Sequence, residues 1–139
     1  MADYKHLNLS QRIYIEQSLN NNLSFKAMGR YLEKNCSTIS KEVKGRRQFK
    51  KTGSNGKAFN DCIYRFSCDL SGCCDRPSCR HTYCRYCANC HNVCSRYKKE
   101  NCMLLVNPPY VCNGCKKRLS CTLEKAIYSA SNSHNEYKL

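Results

Sequence analysis

The chain has 139 residues, 14 of them Cys, and its 24 Lys and Arg stand against 10 Asp and Glu for a formal net charge of +14. That length holds one ordinary domain or two small ones, and the charge points to a polyanion, with nucleic acid a more natural partner than an anionic membrane surface. No run approaches the ~20 apolar residues of a membrane span, and Met1 to Arg12 has no apolar core of an export signal.

A protein kept inside the cell meets a reducing cytoplasm, where clustered Cys bind metal rather than pair as disulfides. A secreted disulfide framework, which an even count of Cys would suit, lacks the export signal. The Cys also mark a boundary: 13 of the 14 fall between Cys62 and Cys121, and residues 1–61 hold only Cys36.

The first helix is expected to start after Asn8, with Gln11 three residues on completing a capping box. Leu9, Ile13, Ile15 and Leu19 form its apolar stripe, and Asn20, Asn21 and Asn22 end it. Ser24 caps the second helix, Leu23 can staple onto Met28, and Phe25, Met28, Tyr31 and Leu32 recur at helical spacing. A short turn through Glu33 and Lys34 reaches Asn35, which caps a third helix running to about Lys44. Gly29 is the small residue that lets the third helix pack across the second. Glu33 stands where a turn Gly is usual, so either the turn differs or Glu33 tolerates a strained conformation.

In the third helix Cys36, Ile39 and Val43 make an inward face, while Ser37, Thr38, Ser40, Lys41 and Lys44 point elsewhere. Short hydrogen-bonding side chains for base edges and cations for phosphates are what a helix in the major groove of DNA needs. A plain three-helix bundle with a solvated polar face has the same periodicity. The basic run that follows favours DNA: Lys44, Arg46, Arg47, Lys50, Lys51 and Lys57 are six cations with no acid among them, interspersed with Gly45, Gly53, Ser54 and Gly56. It reads as a flexible arm that tracks phosphates or enters a minor groove.

Between Ser71 and Asn92 there is no Ile, Leu, Val, Met or Phe. A hydrophobic core cannot offset the entropy of ordering such a stretch; structural zinc can, at roughly 10–16 kcal/mol per site. Cys84 and Cys87, Cys87 and Cys90, and Cys112 and Cys115 have the two-residue spacing that lets both thiolates reach one tetrahedral ion. Two to three zinc ions are expected, grouped as Cys62, Cys68, Cys73 or Cys74, and Cys79; Cys84, Cys87, Cys112 and Cys115; and Cys90, Cys94, Cys102 and Cys121. His81 or His91 can substitute for a Cys, and an iron–sulfur cluster is the rival cofactor. Thiolates and zinc would bring the formal +6 of residues 61–139 near neutrality, leaving residues 1–60, with 12 cations against 4 acids, to supply the long-range attraction to DNA.

Tyr64-Arg65, Arg85-Tyr86 and Arg96-Tyr97-Lys98-Lys99 set cation beside ring, for phosphate and base contact or for a purely structural or protein-contact role. After Cys121, Thr122 caps a last helix with Leu123 and Ile127 as its apolar edge, fraying through Ser129 to His134.

The fold class expected is thus a small all-α helix-turn-helix domain followed by an irregular Cys-rich zinc-binding module with little regular secondary structure. The domains are 1–47, the helix-turn-helix; 48–61, a basic flexible linker; 62–121, the zinc module; and 122–139, the frayed helix.

Ser24-Phe25-Lys26-Ala27-Met28-Gly29-Arg30-Tyr31-Leu32 followed by Ser37-Thr38-Ile39-Ser40-Lys41-Glu42-Val43-Lys44 resembles the N-terminal helix-turn-helix of insertion-sequence-thirty transposases. Phe49-Lys50-Lys51-Thr52-Gly53-Ser54, Phe59-Asn60-Asp61-Cys62 and Pro108-Pro109-Tyr110-Val111-Cys112-Asn113-Gly114-Cys115 are similar to Cys-rich members of that family. The resemblance implies a bacterial, cytoplasmic protein that recognises terminal inverted repeats of a mobile element in double-stranded DNA. It implies as partners a second copy or full-length transposase subunits, and neither a membrane nor a small-molecule substrate.

The Asp-Asp-Glu metal triad of such transposases normally lies in a separate domain after this region and is not expected in these residues. The His-x-Glu pattern of zinc deaminases is missing too, so the chain by itself is expected not to be an enzyme. The rival functions are a helix-turn-helix transcriptional regulator and a zinc-organised protein-interaction module of a truncated element.

Overall fold

In the computed structural model, which describes residues 6–54, 56–74, 79 and 82–138, three side-chain caps start the three N-terminal helices where local chemistry places them. Asn8 Oδ1 accepts from the Gln11 amide at 2.8 Å and Gln11 Oε1 accepts from the Asn8 amide at 2.9 Å, a complete capping box at the head of α1, Leu9–Asn20. Ser24 Oγ accepts from the Ala27 amide at 3.1 Å and opens α2, Phe25–Leu32. Asn35 Oδ1 takes the Ser37 amide at 2.9 Å and opens α3, Cys36–Arg46.

Between α2 and α3 the chain turns on Glu33, which sits in the left-handed region at φ 56° and ψ 41°. The tight approach depends on Gly29, where a β-carbon would stand 2.5 Å from the Lys34 carbonyl oxygen. The strained alternative for Glu33 is therefore the one adopted. Since a non-glycine residue there costs about 1 kcal/mol, Glu33→Gly should raise stability by roughly that amount in urea titration, and an unchanged midpoint would show the turn to be relaxed.

The faces buried by these helices differ from the apolar stripes in the sequence. On α1 the buried residues are Arg12, Ile15, Ser18 and Leu19, while Leu9 and Ile13 are exposed. On α3 Ile39 and Val43 are buried and Cys36 is exposed. An arginine takes the place of an aliphatic in the α1 stripe because Glu42 of α3 meets its Nε at 2.9 Å.

One compact unit comprises Met1–Phe49, Leu104–Cys115 and Ala126–Leu139. Its core gathers Leu7, Ile15, Leu19, Met28, Ile39 and Val43 with Val111 and Tyr128. The compact unit thus extends past the three helices, drawing in two segments from beyond the basic run that add Val111 and Tyr128 to the core.

The C-terminal segment is also organised differently from the expected frayed helix. Residues Lys125–Ile127 form β2, which pairs with β1, Gln48–Lys50, in a two-stranded sheet. The helix begins only afterwards, as α5, Ala130–Lys138. Ser129 starts it, its Oγ accepting from the Asn132 amide at 3.4 Å, while Glu16 Oε1 accepts the Ala130 amide at 2.7 Å.

The second compact unit comprises Lys50–Met103 and Lys116–Lys125. It is irregular, with one short helix, α4, Cys90–Val93, and a 3-10 turn over Cys84–Tyr86. The basic segment expected as a flexible linker is built into it: Ser54 and Lys57 exchange backbone hydrogen bonds at 2.9 and 3.1 Å, and Phe59, Asn60 and Asp61 are buried.

Buried polar groups organise this unit. Asn60 donates from Nδ2 to the Arg85 carbonyl at 2.9 Å and accepts the Cys62 amide on Oδ1 at 3.0 Å. Lys125 Nζ donates to the carbonyls of Thr52 and Cys121 at 2.8 and 2.6 Å. Tyr97 donates its hydroxyl to Asp61 Oδ1 at 2.6 Å, and burial together with that carboxylate pushes the phenol above its ordinary range. Among the described residues no helix is long and apolar enough to cross a membrane.

Candidate nucleic-acid interface

With Ile39 and Val43 facing the core, α3 turns a continuous polar arc outward. Ser37, Lys41 and Lys44 are exposed, and Thr38 and Ser40 are half-buried at its edges. Gly45 lies in the same arc with open space beside it, so the helix backbone itself is accessible there. The side chains suited to base edges lie in the first turn and the cations further along. Lys44 Nζ lies 5.0 Å from the centroid of the Tyr110 ring.

What holds this arc in place is the flank of α3 between Thr38 and Arg46. Glu42, with a side chain only 10% exposed, accepts from Arg12 Nε at 2.9 Å and from the Tyr128 hydroxyl at 2.8 Å on the same oxygen. Arg12 also donates from NH1 to His134 Nδ1 at 3.0 Å and lies 5.0 Å from the Tyr137 ring centroid. Because arginine can only donate, His134 Nδ1 carries the lone pair in this contact. α1, α3 and α5 are thus tied at one buried charge pair. Burial, and then the Glu42 charge and hydrogen bond, hold the Tyr128 phenol above its usual range.

The basic residues after α3 divide. Arg46 is partly exposed, with Nε 4.0 Å from Glu42 Oε1. Arg47 is turned inward: its NH1 donates to the carbonyls of Leu105 and Tyr110, each at 2.8 Å, and its guanidinium stacks over Phe49 at 4.9 Å. That makes Arg47 a brace for the 104–115 segment. Lys50 and Lys51 are exposed. The sequence reading missed Lys26 and Arg30 on α2, both exposed and one helical turn apart. In a helix-turn-helix the first helix of the pair crosses the DNA backbone, so cations at this spacing opposite Met28 are the signal that would have found them.

None of the 14 Cys is in a disulfide. Among the described residues no three Cys, His, Asp or Glu side chains converge so as to hold a metal ion. The second unit nonetheless brings several thiols near one another, in an assortment different from the spacing-based groups. Cys73 faces Cys84 and Cys94, and burial with those neighbours pushes its thiol up to about 12. Cys90 lies near Cys94, Cys84, Cys62 and Cys87, and burial with their charges pushes it up to about 11.

Two of these sulfurs already receive N–H groups: the Cys73 amide donates to Cys84 Sγ at 3.3 Å, and Asn60 Nδ2 lies 3.7 Å from Cys90 Sγ. Cys62, Cys68 and Cys94 line one cleft of about 440 Å³ together with Arg96 and Lys98. Cys74, Cys102 and Cys121 are half-buried and Cys79 is exposed, whereas Cys112 and Cys115 belong to the other compact unit. His91 packs edge-on to Phe59 at 5.2 Å, and His81 lies outside the described residues.

Residues 3–46 match a family described as a helix-turn-helix domain. The match coincides with α1 to α3 and gives this part of the chain a DNA-binding architecture. No curated protein and no solved structure matches the chain.

Proposed function

We propose that the chain is the DNA-recognition part of a transposase, in which α3 enters the major groove at the terminal inverted repeats of a mobile element. The observation that carries this is the outward arc of Ser37, Thr38, Ser40, Lys41 and Lys44 on a helix whose flank is anchored through Glu42. Lys26, Arg30 and Arg46 hold phosphates in this reading, and the exposed Lys50 and Lys51 add further cations for the DNA backbone. A second copy of the chain, or other transposase subunits, are the protein partners in this reading.

In this reading these residues bind DNA without cutting or joining it. Glu42, Asp61, Glu100 and Glu124 are bound to Arg12, Tyr97, Arg65 and Lys99, pairings that support a part in holding the fold. In the second unit, zinc is the proposed structural cofactor. Cys73, Cys84, Cys90 and Cys94 are the ligands proposed for one ion, which would draw them closer together than they stand without it, and the N–H groups directed at Cys84 and Cys90 are the kind of support that thiolate ligands use.

Selection of bound sequences from a random duplex library tests recognition. One motif should be enriched, and Lys41→Ala or Thr38→Ala should relax it at particular positions by about 1–3 kcal/mol. Lys26→Ala should weaken all duplexes alike and reduce the salt slope by about one. Enrichment of no motif, with binding lost on modest addition of salt, would reduce the positive charge to nonspecific attraction.

A further inference from the structure

In the second compact unit, exposed rings and cations are built into one groove of about 490 Å³, lined by Lys57, Asn60, Arg65, Phe66, Arg85 and Tyr86 among others. Its volume lies in the ~300–1,000 Å³ range of ligand clefts. Phe66 is 79% exposed and Tyr86 52%. An aromatic ring held that far into water adds little to the fold, so its placement asks for another explanation.

The rings are held in place rather than loose. Phe66 lies in a turn closed by hydrogen bonds from the Arg65 amide to the Cys62 carbonyl and from the Ser67 amide to the Tyr64 carbonyl, both at 3.1 Å. Its own carbonyl accepts from Arg85 NH1 at 3.1 Å, which ties the two ring-bearing segments together. The Arg65 guanidinium sits 4.4 Å from the Phe66 ring centroid and is itself fixed by Glu100 and the Cys62 carbonyl at 2.9 and 3.0 Å. The Arg85 guanidinium lies 5.0 Å from the centroids of both Tyr83 and Tyr86.

Among the described residues the lining of this groove contains Lys57, Arg65 and Arg85 and no Asp or Glu. Exposed rings backed by cations, with Arg65 paired to Glu100 behind the groove and no carboxylate in its lining, match the two parts of an unpaired nucleotide: a planar base that stacks and a phosphate that needs positive charge. A duplex keeps its base faces stacked inside and could not use the rings. The Asn60 amide, which could otherwise read a base edge, is already spent on Arg85 and Cys62. Recognition here is consequently tolerant of sequence.

We propose that this groove binds single-stranded nucleic acid, with bases stacked on Phe66 and Tyr86 and the backbone held by Lys57 and the two arginines. The site is independent of duplex recognition by α3. It would let the same protein hold a duplex and an unpaired strand at once, as at an opened DNA end.

The absence of Trp from the sequence supplies the probe. In the full chain carrying Phe66→Trp, titration with short oligo(dT) or oligo(rU) should quench the single indole in step with saturation. The pair of oligonucleotides distinguishes DNA from RNA as the source of the strand, since only RNA offers the 2′-hydroxyl. In the otherwise native chain, Phe66→Ala and Tyr86→Ala should each weaken oligonucleotide binding about tenfold, with affinity for a library-selected duplex unchanged. Both rings are exposed, so their loss leaves the fold intact. The proposal is overturned if neither oligonucleotide binds, as would be found were the groove a protein contact. It is equally overturned if they bind with the indole emission unchanged or with full affinity for the double alanine variant.

Discussion

Glu42→Ala should destabilise the helix-turn-helix unit by about 3–5 kcal/mol, the cost of leaving a buried charge without its partner. The charge stranded is that of Arg12, whose side chain is only 2% exposed. The same substitution removes the acceptor of the Tyr128 hydroxyl. Denaturant titration of the single variants and of the Arg12→Met, Glu42→Leu double variant separates pair from packing, because replacing both partners by apolar groups should recover most of the loss. Single-variant costs below 1 kcal/mol would mean that water reaches the pair.

Tyr128 adds a pH signature to the same network. Its phenol is held above the ordinary range, so the folded state keeps this proton more tightly than the unfolded chain does. The stabilisation is therefore complete below a pH of about 10 and is lost as pH rises beyond it. Tyr128→Phe should flatten that alkaline decline. Since Glu42 orients α3, Glu42→Ala should also blunt duplex selectivity without touching any residue of the outward arc.

How much of this was legible in the sequence depended on the range of the interaction. Asn8, Ser24 and Asn35 cap their helices through bonds to residues two or three positions away, and short-range chemistry of that kind reads directly off the chain. Arg12 did not, because its burial makes sense only beside Glu42, 30 residues on. Tyr128 meets Glu42 across 86 residues and Asn132 meets Gln48 across 84, so the strand and helix of the C-terminal segment had no local signal. Leu123 and Ile127 at helical spacing suggested a helix, but Lys125–Ile127 answers to the strand partner Gln48–Lys50. The outward arc of α3 was readable because Ile39 and Val43 fixed which side was buried. Arg47 was not, since its acceptors are the carbonyls of Leu105 and Tyr110.

Removing metal from the chain should cost the second unit its order while the helix-turn-helix unit keeps its own. Residues 71–92 contain no Ile, Leu, Val, Met or Phe, and ordering each residue costs about 1–2 kcal/mol of backbone entropy. The hydrogen bonds of Asn60, Asp61 and Lys125 return only about 1 kcal/mol each. A structural zinc site contributes roughly 10–16 kcal/mol in small peptides, far more than any of those hydrogen bonds. Hydrogen exchange after exhaustive chelation should show protection lost across residues 56–74 and 82–103 and retained in α1 and α3. Elemental analysis of the purified chain should find zinc. Cys84→Ser should lower the metal content by one ion, whereas Cys36→Ser, on an exposed thiol of α3, should leave it unchanged. Because thiols must give up protons to bind the ion, metal uptake should release acid and weaken as pH falls. A purified chain without metal, with protection indifferent to chelator, would return the whole task of holding this unit to its buried polar groups.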